Sequence, residues 1–188
     1  HTEITADLQR PIVVGCMLGE VSADRLVRTG GARPGDLILL TKGVPIEATA
    51  IIAREKREAL LAHFSPAFLD ECAHFLYDPG ISVVRDAQVA MQVGGVSSMH
   101  DPTEGGLLTA LWELAEASGC TLEVSLYDSP EVWLPQGKKL CEFYGLDPAA
   151  AIASGALLLT ATPPKVSALL QAYQQAQLPI FQIGRVVA

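Results

Sequence analysis

Short apolar runs alternate with amphipathic stretches along this chain, and most are closed by glycine, proline or a polar cluster. Residues 11–18, 37–41, 96–99 and 155–161 have the length and apolar content of buried strands. Residues 121–126 alternate as a half-buried strand, and 180–187 read as a final one. Helical periodicity covers 46–63, with Ile51, Ile52, Leu60 and Leu61 on or near one face and charges opposite. Pro66 suits the first turn of a helix through Leu76, where its absent N–H costs nothing, ending before Asp78-Pro79-Gly80. Residues 82–93 form another helix with Ser82 as N-cap. A longer helix runs to about Ala117 and stops at Ser118-Gly119. Residues 136–144 and 164–175 are helical, 147–152 make one helical turn, and the glycine-rich 30–35 is turn material. Strands and helices are interspersed without internal repeat, which predicts an α/β or α+β domain.

Composition narrows the class. The chain has 188 residues, 49% of them hydrophobic, and a mean hydropathy of +0.30, enough for one substantial core. A net charge of −8 and a pI near 4.9 lack the basic stripe that nucleic acid requires. No run reaches the roughly 18 apolar residues of a membrane span, so a cytoplasmic protein is expected. Cys16, Cys72, Cys120 and Cys141 lie far apart without a CxxC pair and read as reduced, mostly buried thiols.

The densest chemistry lies in Met99-His100-Asp101-Pro102-Thr103-Glu104-Gly105-Gly106-Leu107-Leu108, a strand end and polar turn running into an amphipathic helix. Asp101 and Thr103 both suit capping of a helix that starts near Glu104. Gly105 and Gly106 carry no Cβ to hold a ligand away from that first turn. Free N–H groups and the helix dipole there favour an anion such as phosphate. An ordinary capped helix with a tight turn describes the same residues equally well. His100 is either a proton shuttle or a polar residue closing a strand. His63 and His74 fall in predicted helices with no ligand-spaced partner and read as surface histidines.

Asp101-Pro102-Thr103-x-Gly105-Gly106-Leu107, leading into a helix with Glu113-Leu114-Ala115, resembles the AIR synthase superfamily, named for aminoimidazole ribonucleotide synthase. That superfamily also holds selenophosphate synthetase, thiamine-monophosphate kinase and the hydrogenase maturation factor HypE. The HypE branch is the most similar, with one departure: Glu104 stands where an arginine is usual. Gly31-Ala32-Arg33-Pro34-Gly35-Asp36, with the strand after it, looks like the segment that opens the superfamily's C-terminal domain. His1-Thr2-Glu3 looks like the tail of a Gly-Gly-His/Asp/Glu-Thr motif.

The resemblance implies an α+β fold in α/β/α layers, a mixed sheet flanked by helices like the PurM C-terminal domain and partly ferredoxin-like. Residues 1–28 would be the last strands of an N-terminal ATP-binding domain, and 29–188 the C-terminal domain. The chain is expected to be incomplete at both ends, without the rest of that first domain or the cysteine-bearing tail of HypE-type proteins. ATP and Mg²⁺ are the implied cofactors of the full-length protein. The implied partners are a nucleotide, a small-molecule or protein-cysteine substrate, a second copy through the N-terminal domain, and other maturation proteins. The implied chemistry is ATP-driven activation of a carboxamide oxygen, dehydrating a cysteine-borne thiocarboxamide. A small-molecule kinase or synthetase relative and a non-catalytic assembly module are the alternatives. The ligand-facing positions are His1, Thr2, Lys42, Asp101, Thr103, Glu104, Gly105, Gly106, Ser154 and Gly155. Lys42 follows a strand end, where ligand sites gather, and either meets a phosphate or is simply solvated. Asp101 offers a hard oxygen to Mg²⁺ or only a cap. Ser154-Gly155 resembles part of a Ser-Gly-x-Leu-Leu segment, or is a plain turn.

Overall fold

Leu37-Ile38-Leu39-Leu40-Thr41 has no polar side to turn toward water, and it becomes the central strand of a five-stranded sheet. The computed structural model describes residues 13–126 and 129–188. The strands are β1 (Leu37–Thr41), β2 (Val96–His100), β3 (Thr121–Val124), β4 (Leu158–Ala161) and β5 (Ile180–Val187), in the order β2-β4-β1-β5-β3. The helices are α1 (Glu47–Glu55), α2 (Arg57–Leu60), α3 (Pro66–His74), α4 (Val84–Val93), α5 (Gly106–Ser118), α6 (Pro135–Phe143) and α7 (Pro163–Gln175).

The class is α+β as expected, but the sheet is antiparallel at every pairing rather than mixed. Helix α7 does carry the chain between two strands of the same direction, β4 and β5. Strand β1 lies between them and runs the opposite way. Helix α5 likewise joins β2 at one edge to β3 at the other. These are split crossovers, the ferredoxin-like device, so parallel strands never become neighbours.

Alternation along the strands divides the core into two layers. Ile38, Leu40, Leu158 and Ile183 face Leu107, Ala110, Leu111 and Leu114 of α5. Leu39, Leu157 and Leu159 face Ala90 of α4 and Val166, Leu169 and Tyr173 of α7. Each fully buried side chain of this size contributes about 1.5–3 kcal/mol. A separate lobe packs α1, α3 and α6 around Ala53, Leu69, Cys72 and Leu140, with Leu60 of α2.

Several predicted boundaries move. The 46–63 helix breaks at Lys56 (φ −110°, ψ 14°) into α1 and α2, leaving His63 beyond it. Helix α3 is capped by Ser65, whose hydroxyl accepts the Phe68 N–H at 3.2 Å, and ends at His74. Helix α4 starts at Val84, whose N–H reaches the Ser82 hydroxyl at 3.4 Å. The described part of the predicted 11–18 strand forms no strand, and Val13, Val14, Met17 and Leu18 are exposed. A strand requires a ladder partner, and no described strand pairs with it.

Candidate functional site

Strands β1 and β2 run toward the end of the sheet where β4 begins: Leu158 pairs with Leu40 on one side and His100 on the other. That register gathers Lys42, the 101–106 turn and Ser154-Gly155 at one end of the sheet. His1 and Thr2 lie outside the described residues.

Helix α5 begins at Gly106, with Gly105 (φ +79°) as its N-cap and no side-chain cap. Asp101 and Thr103 therefore do not cap it, contrary to the sequence reading. Thr103 contributes its carbonyl instead, which accepts from the Gly106 N–H (3.0 Å) and the Ala153 N–H (3.2 Å). Asp101, Thr103 and Glu104 are exposed.

The two glycines answer different demands from those expected. A Cβ on Gly106 would lie 2.5 Å from the Ala151 carbonyl oxygen and 2.6 Å from that of Ala149. The space it vacates is filled by the backbone of residues 149–151, not kept open for a ligand. A Cβ on Gly105 would meet the Thr109 side chain. The Leu108 N–H donates to the Ala149 carbonyl at 3.1 Å. Two N–H groups of the first turn, those of Gly106 and Leu108, are thus satisfied by protein, which narrows the opening for an anion.

Lys42 departs furthest from expectation. It is 5% exposed, with φ +59°, and its Nζ lies 3.2 Å from Asp86 Oδ2 while donating to the carbonyls of Ser82 (2.9 Å) and Gly80 (3.3 Å). It is neither a solvated lysine nor free for phosphate, because its three donors are all engaged. Asp86 is 1% exposed and its carboxylate accepts no hydrogen bond of regular geometry, so among the described residues the ion pair alone balances its charge. The Tyr173 hydroxyl donates to the Asp86 carbonyl at 2.7 Å. Burial, reinforced by the Asp86 charge, raises the Tyr173 pKa above the ordinary phenol value.

Gly155 (φ +115°) explains what Lys42 holds in place. A Cβ there would come within 2.8 Å of the Gly80 carbonyl, so the Ser154-Gly155 turn packs directly on the segment that Lys42 grips. Sequence reasoning missed Asp86 and also Glu47, whose Oε2 is buried without a partner in the first turn of α1. An acid just after Pro45 at a helix start was the available signal for Glu47.

His100 Nε2 lies 2.7 Å from Glu113 Oε2, tying β2 to α5. Cys72 and Cys141 are buried, Cys120 is half-buried and Cys16 is exposed, all unbridged. Burial pushes the Cys72 thiol up to about 12, with Glu71 adding, and Cys141 up to about 11, with Asp147 and Glu142 adding. Both are inert thiols at neutral pH. Among the described residues no group of three His, Cys, Asp or Glu can hold a metal ion, and no helix is long and apolar enough to cross a membrane.

An α+β domain with split crossovers and a glycine-capped Asp-Pro-Thr turn at one sheet end defines a class that comparison then identifies. The family model "AIR synthase related protein, C-terminal domain" matches residues 33–188, and the chain belongs to that family. Carbamoyl dehydratase HypE of Cupriavidus necator is 36% identical over 155 residues, covering 82% of this chain and 40% of the relative. A selenide, water dikinase of Paraburkholderia xenovorans is 32% identical over 136 residues, 72% of this chain and 35% of the relative. Among solved structures, HypE in complex with ATP aligns with a TM-score of 0.64 at 24% identity, over 90% of this chain and 48% of that one. Thiamine-monophosphate kinase of Stenotrophomonas maltophilia aligns with a TM-score of 0.67 at 21% identity, over 89% and 52%. At these identities the solved structures speak for the fold alone. The chain spans less than half the length of the HypE relatives it matches.

Proposed function

We propose that residues 29–188 are the C-terminal domain of an ATP-dependent enzyme of the carbamoyl dehydratase type. The observation that carries this reading is the 36% identity to HypE across 82% of the chain, a stretch long enough to take in the 101–107 turn. In this reading ATP phosphorylates the oxygen of a cysteine-borne thiocarboxamide. Loss of phosphate and two protons then leaves a thiocyanate, with ADP as the other product. The share of this domain is to shape and position. Asp101, Thr103 and Glu104 present an exposed polar lip, Ser154-Gly155 stands at the same sheet end, and Lys42 fixes the 80–82 wall beneath it. In this proposal the acids that hold Mg²⁺ belong to the N-terminal domain that the family resemblance implies. That domain also forms the homodimer. In this reading the full-length protein also takes a protein partner, as HypE does in its solved complex with HypF.

The test uses the full-length protein with MgATP and a peptide ending in a thiocarboxamide-modified cysteine. Mass spectrometry should show loss of one water from the peptide, with one ADP formed per dehydration. ADP formation without dehydration would instead support a small-molecule kinase. That second reading is favoured by the similarity to selenide, water dikinase.

A further inference from the structure

A cleft between α5, α6 and the turn at residues 147–149 takes no part in the reading above and stands independently of it. Its volume is about 290 Å³, and Leu108, Leu126, Trp133, Pro148 and Ala149 form its apolar walls. The Trp133 Nε1–H is already given to the Leu126 carbonyl at 3.2 Å, so the indole offers the cleft its ring rather than a donor. The polar groups lining it are Lys138, Glu142 and Asp147. Lys138 Nζ sits 3.8 Å from Glu142 Oε1 and neutralises it. Asp147 receives the Ala149 N–H at 2.9 Å, a neutral donor that leaves its charge uncompensated. Among the described residues the lining therefore carries one net negative charge beside an aromatic face, on a chain of net charge −8.

We propose that this cleft binds a small flat aromatic cation. The ring would lie among Leu108, Pro148 and Trp133, with cation–π attraction from the indole, and the positive group would face Asp147. The volume is at the lower end of ligand sites, which limits the occupant to one or two rings. An aromatic anion of the same shape would meet the acidic rim unfavourably.

The experiment follows Trp133 emission in a Trp112→Phe background while benzamidine or benzoate is titrated at low salt. Benzamidine should quench saturably, and benzoate should bind about tenfold more weakly or not at all. Leu108 is 44% exposed, so Leu108→Arg keeps the fold, checked by circular dichroism, and should abolish the benzamidine response. Lys138→Glu, at an exposed helix position, should tighten benzamidine severalfold and leave benzoate weak. Equal binding of benzoate, an undiminished response in Leu108→Arg, or no tightening in Lys138→Glu would each overturn the proposal.

Discussion

Removing the Lys42 ammonium while Asp86 stays in place strands a carboxylate that has no other counter-charge among the described residues. Lys42→Met should cost about 3–5 kcal/mol in urea unfolding, as breaking a buried ion pair does, and adding Asp86→Leu should recover most of it. An unchanged urea midpoint in Lys42→Met would mean the pair contributes nothing. The buried thiols make a second residue-scale claim, about alkaline pH. The Cys72 pKa is raised from the usual 9.0 to about 12, so the folded state keeps a proton that the unfolded state releases. That stability is fully present below pH 9 and is lost as pH rises to about 12. Cys72→Ala should flatten the fall in urea midpoint over this window. At this scale the sequence singled out positions more readily than it assigned their contacts. Lys42 and Gly106 were legible as special positions, but what each touches (Asp86, and the backbone of 149–151) comes from distant segments that no local pattern announces.

Helix α5 illustrates the same limit one level up. Its amphipathic pattern and its Gly119 stop are local, and both were readable. Its start was not, because the 149–153 backbone decides where the first turn closes. The antiparallel sheet was hidden for a similar reason: alternating strands and helices fix neither a strand's direction nor its neighbour, and β3 and β4, joined through α6, run opposite ways. Gly106→Ala should destabilise the protein by about 1–3 kcal/mol, since backbone carbonyls cannot step aside and the φ of +64° is unfavourable to alanine. Gly105→Ala should cost less, because its new methyl meets Thr109 alone, whose Oγ1 can rotate away while its Cβ, at 2.8 Å, requires a small shift of an exposed turn. Thermal denaturation of the two variants ranks them directly, and the reverse order would refute this account of the turn.

For the molecule as a whole, the two-layered core and the helical lobe give this chain a fold of its own, while the proposed chemistry needs residues beyond it. The chain alone should therefore hydrolyse no ATP in magnesium buffer above a protein-free control. Steady magnesium-dependent ADP release would contradict the proposed division of labour. The segment at 147–153 carries a different consequence. It is joined to its neighbours through main-chain groups: Ala149 to Leu108, Ile152 to Ala48, Ala153 to Thr103. Such seams do not read side-chain identity, so the outward-facing positions at 101 and 104 can be exchanged without loosening the scaffold. A fold sewn in this way is free to change its reagents while keeping its shape.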